Sequence, residues 1–179
     1  QEGWCLGCEL RPGSQHANNG FLDTLKRGLP RARSLTDKPI LLRLDSAHDA
    51  RDNRDFLREQ DQIDFLIKWN PRKQDPLAWA DKAQAQKAWT LERDGKMEAV
   101  LSEDLPDEPG LRRIVKVTVR TSDAAGQLYL EPEVSLEGWI TSLPVDEVSD
   151  QQVMALYSDH ATSEQFHSEF KTDLDLERL

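Results

Sequence analysis

The sequence predicts an α/β fold in which helices cover a sheet. Residues 40–44, ILLRL, form a short and nearly continuous apolar run, which is typical of a strand buried inside a sheet. Residues 63–69, IDFLIKW, form a second apolar strand that ends at an Asn-Pro breaker. Residues 50–60 lie between the two strands and have helical character. Strands that alternate with helices in this way favour a sheet with helices packed on it.

The N-terminal part adds a predicted strand and a predicted helix. Residues 2–10, EGWCLGCEL, are predicted to form a strand. Residues 21–34 carry apolar side chains at helical spacing, and Pro30 is expected to end or interrupt that helix. Cys5 and Cys8 are expected to be buried, reduced cysteines of a cytoplasmic protein, because two thiols alone are too few for a structural zinc site.

The middle of the chain is predicted to be rich in strands. It opens with a helix over 76–88, and the Asp94-Gly95 pair that follows is a strong hairpin signal. Residues 112–121 alternate apolar and polar side chains like a half-buried strand, although Ile114 does not fit the alternation. A short helix over 146–156 is predicted to end this part.

Composition limits the possible functions. The chain has 179 residues, with 37% hydrophobic and 31% charged residues, which is enough for one domain with a full core. The formal net charge of −10 argues against a dedicated DNA-binding module, since phosphate contacts need clustered Lys and Arg. It does not exclude a catalytic domain that acts on DNA, because such a domain needs carboxylates around metal ions.

Two aspartates follow the first buried strand. Asp45 comes directly after residues 40–44, at the carboxyl end of the strand, where α/β sheets usually place functional groups. Asp49 is the alternative to Asp45 as a functional carboxylate, for example as a metal ligand, but it is predicted to be the N-cap of the next helix. Without further information, Asp45 is equally interpretable as a turn or helix-capping residue.

The C-terminal segment is predicted to be an amphipathic helix. Thr162 and Gln165 form a capping box at its start. Glu164 and Lys171 fall on its polar side, about two turns or roughly 10 Å apart. Glu169 is the alternative acidic residue, but it falls near the apolar flank. On periodicity alone, an ordinary amphipathic helix with a solvated charged face explains this pattern.

The spacing of four polar residues carries a family resemblance. Tyr157, His160, Glu164 and Lys171 are separated by two, three and six residues. This spacing resembles the Y-R-E-K signature of bacterial insertion-sequence DDE transposases, with His160 where that family usually has arginine. The run LLRLDSAHD resembles the second-aspartate motif of the same proteins, and TSEQFHSEFKTDLDLERL is similar to one insertion-sequence family along the entire helix.

The resemblance implies a ribonuclease-H-like fold, with a mixed five-stranded sheet flanked by helices. Residues 1–75 would be the first part of the catalytic domain, and residues 76–144 would be a β-rich insertion before the last catalytic helix. Residues 145–179 would be the last part, which carries the glutamate.

The resemblance also implies a chemistry. Asp45 and Glu164 would be catalytic residues and ligands of two Mg²⁺ ions, with Mn²⁺ as a substitute, for in-line attack on a DNA phosphodiester. The implied DNA contacts, at transposon ends and target, are Tyr157, His160, Lys171 and Arg72. The full-length protein would be a dimer in the bacterial cytoplasm, without membrane segments.

One feature of the family has no counterpart. The family carries a further aspartate on the first strand of its sheet, and no residue fits that position. We expect that the chain starts after this strand and is inactive alone. Two other functions stay open: a non-catalytic interaction or DNA-docking domain derived from a transposase, and an unrelated acidic α/β binding protein.

Overall fold

A computed structural model describes residues 5–7, 9, 12 and 14–158. This part of the chain forms four α-helices, a short 3-10 helix and six strands. In chain order they are α1 (Phe21–Arg33), β1 (Ile40–Leu44), the 3-10 helix (Ser46–His48), α2 (Arg51–Arg58), β2 (Ile63–Trp69), α3 (Pro76–Ala85), β3 (Trp89–Arg93), β4 (Lys96–Asp104), β5 (Arg112–Ser122), β6 (Leu128–Thr141) and α4 (Asp150–Ser158).

The strands form one mixed sheet in the order β1-β2-β6-β5-β4-β3. β1 and β2 are parallel, and every other neighbouring pair is antiparallel. The predicted mixed sheet flanked by helices is confirmed. The sheet has six strands in the described region, where five were expected. The pairing of β2 with β6 adds the four strands β3, β4, β5 and β6 to the sheet that contains β1 and β2. The predicted division of the chain into a first part of the catalytic domain (1–75), a β-rich insertion (76–144) and a last part (145–179) stays a prediction.

The larger core lies on the face of the sheet covered by α1, α2 and α3. Leu57 of α2 is completely buried there, together with Phe65 and Ile67 of β2. Trp79 and Ala83 of α3 close the same face over β5 and β6. Apolar residues at helical spacing therefore meet alternate residues of the strands, which is how an α/β layer buries both elements.

A smaller core lies on the opposite face, under α4. Leu66, Ile114 and Trp139 of the sheet are buried against Val153, the only buried residue of α4. Ile114 departs from the alternation of β5 because α4 covers it. Among the described residues, no helix is both long enough and apolar enough to cross a bilayer.

Two predictions for the N-terminal part are wrong. Residues 5–7 and 9 do not lie in a strand, and Cys5 is exposed instead of buried. The segment lies along α1: the Leu6 carbonyl accepts a hydrogen bond from the Arg31 guanidinium at 2.8 Å, and Glu9 pairs with Arg27 at 3.0 Å. These two contacts attach Leu6 and Glu9 to α1.

Pro30 neither ends nor interrupts α1, which continues to Arg33. The last turn is held from outside the helix. The Arg33 guanidinium donates to the carbonyl oxygens of Lys38 at 2.9 Å and Asp61 at 3.0 Å. These bonds offset the one helix hydrogen bond that proline removes.

Gly138 allows β2 and β6 to approach closely. A Cβ atom at this position would lie 2.6 Å from Cε3 of Trp69 and 2.9 Å from the carbonyl oxygen of Ile114. We therefore predict that Gly138→Ala lowers the free energy of unfolding by about 1–3 kcal/mol, as overpacking does in cores. Urea denaturation measures the change.

Gly28 provides the matched control. A Cβ atom there has no neighbour within 4 Å, and the residue lies inside α1. Gly28→Ala should raise the free energy of unfolding by about 0.5–1 kcal/mol, because alanine favours the helix. An equal effect of both substitutions would show that the β2–β6 contact is not tight.

Candidate active site at the carboxyl edge of β1 and β2

The parallel pairing of β1 and β2 brings their carboxyl ends to one edge of the sheet. Leu44 lies opposite Ile67 in this pair. Asp45 follows β1 directly, and Asn70 follows β2 directly. Functional groups in α/β sheets collect at this edge, because the loops that leave parallel strands all start there.

Asp45 caps the 3-10 helix and stays open to solvent. Its Oδ1 accepts a hydrogen bond from the backbone N–H of Ala47 at 2.8 Å. The side chain is 65% exposed, and its Oδ1 lies 3.8 Å from Nε2 of His48. The His48 ring is fixed by stacking on Phe21, with 3.6 Å between ring centroids. Asp45 is thus held in place by one hydrogen bond while most of its carboxylate is available to a ligand.

Asp49 differs from Asp45 because both of its carboxylate oxygens are engaged. Oδ1 pairs with the Arg54 guanidinium, and Oδ2 accepts the backbone N–H of Asn70 at 3.2 Å. Its side chain is only 11% exposed. The prediction that Asp49 is the N-cap of α2 is wrong, since Ala50 occupies that position. Asp49 instead ties α2 to the end of β2.

Arg54 lies between two buried carboxylates. Nε and Nη2 donate to Glu108 at 2.8 and 2.7 Å, and Nη1 pairs with Asp49. The bonds to Arg54 hold the pKa of Glu108 below its ordinary value, against a smaller opposing effect of burial. Burial raises the pKa of Asp49, and the contacts with Asn70 and Arg54 offset this only in part.

A polar pocket of about 340 Å³ opens beside Asp45. It is formed where the loops after β1 and β2 meet the turn before α1, and its lining residues are His16, Asn18, Asn19, Ser46, Ala47, Asp49, Asn70 and Arg72. Arg72 is exposed, and its backbone N–H donates to Oδ1 of Asn70 at 3.2 Å. The lining of the pocket next to the Asp45 turn is therefore polar and includes one arginine and three asparagines.

The end of α4 is linked to β1 by one side-chain hydrogen bond. Nη1 of Arg43 donates to the carbonyl oxygen of Leu156 at 2.7 Å. Tyr157 is half-buried and meets Trp139 edge-on, with 6.4 Å between ring centroids. Nζ of Lys68 lies 4.2 Å from the centroid of the Trp139 ring and 5.3 Å from that of Tyr157. The last described turn of α4 is therefore linked both to the strand that precedes Asp45 and to the aromatic side chain of Trp139.

Three predicted site residues lie outside the described residues: His160, Glu164 and Lys171, as does the alternative Glu169. Within the described part, no three His, Cys, Asp or Glu side chains are grouped so that they could hold a metal ion. The meeting of Asp45 with Glu164 stays a prediction.

Sequence reasoning missed the roles of Arg43, Arg54 and Asn70. In the sequence, Arg43 is the last of six basic residues between positions 26 and 43, a pattern that fits a solvated face as well as a DNA contact, and Asn70 looks only like a strand breaker. One sequence signal could have indicated the contact of Arg43. This residue lies inside an apolar strand, and a partly buried cation needs a hydrogen-bonding partner.

The fold and its site define a ribonuclease-H-like α/β domain with an acidic residue at the carboxyl edge of a parallel strand pair. The family described as "Transposase DDE domain" matches residues 1–179. The chain belongs to this transposase family, as its motifs indicate. A search of curated proteins finds no match.

The Arg54 pairs predict a pH-dependent stability. Because the pKa of Glu108 is lowered, its ionised form stabilises the fold above its unfolded pKa of about 4.3, and this contribution is lost as the pH falls through the lower folded value. Glu108→Gln should cost about 3 kcal/mol at pH 7 and much less at pH 3, measured by urea denaturation.

Asp107→Asn is the control for this experiment. Asp107 is the exposed neighbour of Glu108, so its substitution should change stability little at either pH. A cost of Glu108→Gln that is the same at pH 7 and pH 3 would contradict an ionic role.

Proposed function

We propose that this chain is part of a DNA transposase catalytic domain that cuts and joins phosphodiester bonds by two-metal-ion in-line attack. The observation that carries the proposal is Asp45: its carboxylate is open to solvent at the carboxyl end of β1. In a chain that belongs to the DDE transposase family over residues 1–179, this is the residue that resembles the second aspartate.

Glu164 is the proposed second carboxylate. Leu156 is hydrogen-bonded to Arg43, two residues before Asp45 in β1. Seven residues lie between Leu156 and Glu164, so the two Cα atoms would be about 12 Å apart in a helix and up to about 27 Å apart in an extended chain. This length is sufficient for the two carboxylates to meet at the edge of the sheet.

Asp45 and Glu164 suit Mg²⁺ chemically. Mg²⁺ prefers oxygen ligands and keeps several waters, so a few carboxylates hold it. An exposed carboxylate with a single backbone hydrogen bond has oxygen lone pairs left for a cation. When bound, two such ions would polarise the phosphodiester and stabilise the leaving oxygen. Mn²⁺ has similar ligand preferences and is the proposed substitute.

Four residues are proposed to contact DNA: Tyr157, His160, Lys171 and Arg72. Arg72 lies in the wall of the pocket beside Asp45 and is exposed, so its guanidinium can reach a phosphate. Tyr157 keeps part of its side chain accessible at the end of α4.

The wider setting follows from the resemblance to insertion-sequence transposases. We propose that the full-length protein acts as a dimer in the bacterial cytoplasm and binds transposon ends and target DNA. The isolated chain is expected to be inactive, because no residue of it matches the first aspartate of the family.

The metal site is tested with Mn²⁺ as the probe. Asp45→Asn should weaken Mn²⁺ binding at least about tenfold, a loss that already follows from disturbing outer-shell groups in metal sites. Glu164→Gln should have the same effect, because both carboxylates are proposed ligands. Electron paramagnetic resonance titration of free Mn²⁺ measures the affinity.

Asp49→Asn is the matched control. Asp49 has its oxygens engaged by Arg54 and Asn70, so its substitution should lower the unfolding temperature and leave Mn²⁺ affinity nearly unchanged. Mn²⁺ binding that depends on Asp49 and not on Asp45 would contradict the assignment. Robust DNA cutting by the chain alone that disappears in Asp45→Ala would contradict its expected inactivity.

The DNA contact of Arg72 gives a separate prediction. Arg72→Gln should weaken binding to a short DNA duplex and reduce the slope of log affinity against log salt by about 1, as for the loss of one phosphate contact. Lys87→Gln is the control, since Lys87 is an exposed cation beyond the other end of α3. Fluorescence anisotropy at several salt concentrations measures the DNA affinity of both variants and its salt dependence. Equal slopes for the two variants would show that Arg72 does not contact a DNA phosphate.

A further inference from the structure

The pocket beside the Asp45 turn is lined by polar side chains from three loops. His16 and Asn18 come from the turn before α1, Ser46 comes from the 3-10 helix, and Asn70 and Arg72 come from the loop after β2. Ligand pockets in proteins are usually lined by apolar side chains, with a few polar groups that fix the ligand. In this pocket, the class of ligand follows from the hydrogen-bonding groups that the lining still has available.

Asn53 fixes the orientation of the Asn18 amide. It belongs to α2, and only 2% of its surface is exposed. Its Nδ2 donates to the carbonyl oxygen of His48 at 3.0 Å and to Oδ1 of Asn18 at 2.7 Å. A main-chain carbonyl can only accept, so the group of Asn53 at this point is its NH₂, and the atom of Asn18 that meets it is the oxygen. Nδ2 of Asn18 therefore stays available as a donor.

Asn70 and His16 keep donors for a similar reason. Oδ1 of Asn70 accepts the backbone N–H of Arg72 at 3.2 Å, and Nδ1 of His16 accepts the backbone N–H of Asn18 at 3.2 Å. A backbone N–H can only donate, so each contact identifies the acceptor atom of the side chain. Nδ2 of Asn70 and the Nε2–H group of the neutral His16 ring are the groups left over for a ligand.

Arg72 supplies the positive charge of the pocket. It is exposed, and its guanidinium pairs with no carboxylate of the residues that the structure describes. Asp49 is the only carboxylate among the described lining residues, and its oxygens are bound by the Arg54 guanidinium and the backbone N–H of Asn70. The pocket thus offers one cation and several neutral donors, while its carboxylate is engaged inside the fold.

We propose that this pocket is a phosphate site, in which neutral side-chain donors bind phosphate oxygens and one cation balances the charge. The donors are Asn18, Asn70 and His16, and the cation is Arg72. Phosphate oxygens only accept hydrogen bonds, whereas the edges of adenine and cytosine also carry an amino donor that a lining of donors would repel. The placement on DNA rests on the proposed function: the occupant is a backbone phosphate next to the bond on which Asp45 acts.

The side-chain amide signals in a ¹H–¹⁵N spectrum test the site directly. The chain has four asparagines, so each NH₂ pair can be assigned by substitution. Inorganic phosphate is the probe, and sodium chloride at equal ionic strength is the reference. The signals of Asn18 and Asn70 should shift and saturate, while that of Asn53 should stay, because its NH₂ group is already bound. The absence of a saturable shift at Asn18 and Asn70 overturns the proposal, as does an equal shift at Asn53.

Asn18→Asp replaces the donor and keeps the oxygen that Asn53 binds. Phosphate affinity, followed at the Asn70 signal, should fall at least about tenfold, the loss expected for one hydrogen bond to a charged group. Gln15→Glu is the matched control, since it adds the same charge at an exposed position outside the lining. It should leave the affinity nearly unchanged. Equal weakening by both variants overturns the proposal, because added charge alone would then explain the loss.

Asn70→Asp is measured in the same way if Asn18→Asp does not fold. It keeps the oxygen that accepts the backbone N–H of Arg72, and the Asn18 signal reports phosphate affinity. The expected loss and the overturning result are the same as for Asn18→Asp.

Short DNA duplexes of two base compositions then replace inorganic phosphate. Both duplexes should shift the signals of Asn18 and Asn70, and inorganic phosphate should compete with them. Shifts with phosphate and none with either duplex would overturn the placement on DNA and show a site for free phosphate. Shifts that depend on base composition and are absent with phosphate would overturn the phosphate site itself. If Asp45→Asn leaves Mn²⁺ binding unchanged, the proposed metal site fails, while the amide signals still decide what the pocket binds.

Discussion

Strand β2 pairs in parallel with β1 on one side and in antiparallel fashion with β6 on the other, and it is buried on both faces. Phe65, Leu66 and Ile67 have no exposed surface. The parallel partner brings the ends of β1 and β2 to one edge, where Asp45 lies. The antiparallel partner connects the remaining strands and supplies Trp139, on which the end of α4 packs. The site at this edge and the position of α4 thus both depend on one strand.

The buried ion pairs of Arg54 determine which carboxylates near this edge of the sheet remain open to solvent. Arg54 is shared by Asp49 and Glu108, so the carboxylates of both are engaged inside the fold. Removing one partner of such a cluster leaves an uncompensated buried charge, which strongly destabilises the fold. Asp45, four residues before Asp49, makes one backbone hydrogen bond and faces solvent. The two aspartates therefore have different roles, although they lie in the same turn.

Local patterns were sufficient to predict most of the elements. The apolar runs of β1 and β2, the helical spacing in α1 to α3 and the hairpin at Gly95 all reflect short-range preferences, and the structure confirms them. The strand predicted over residues 2–10 is wrong at residues 5–7 and 9, because a strand needs a neighbour, and a local pattern does not show whether one exists. Ile114 departed from its alternation for a similar reason, since the helix that covers it lies far away in sequence.

The same limit applies to the site. The position of Asp45 could be predicted because it depends on a local feature, the end of an apolar strand. The role of Arg43 could not, since its contact spans 113 residues. A cation inside an apolar strand signals that a partner exists, without showing that the partner is a main-chain carbonyl. Features that follow a local pattern are thus more readable from sequence than contacts between distant residues, because such contacts exist only in the assembled sheet.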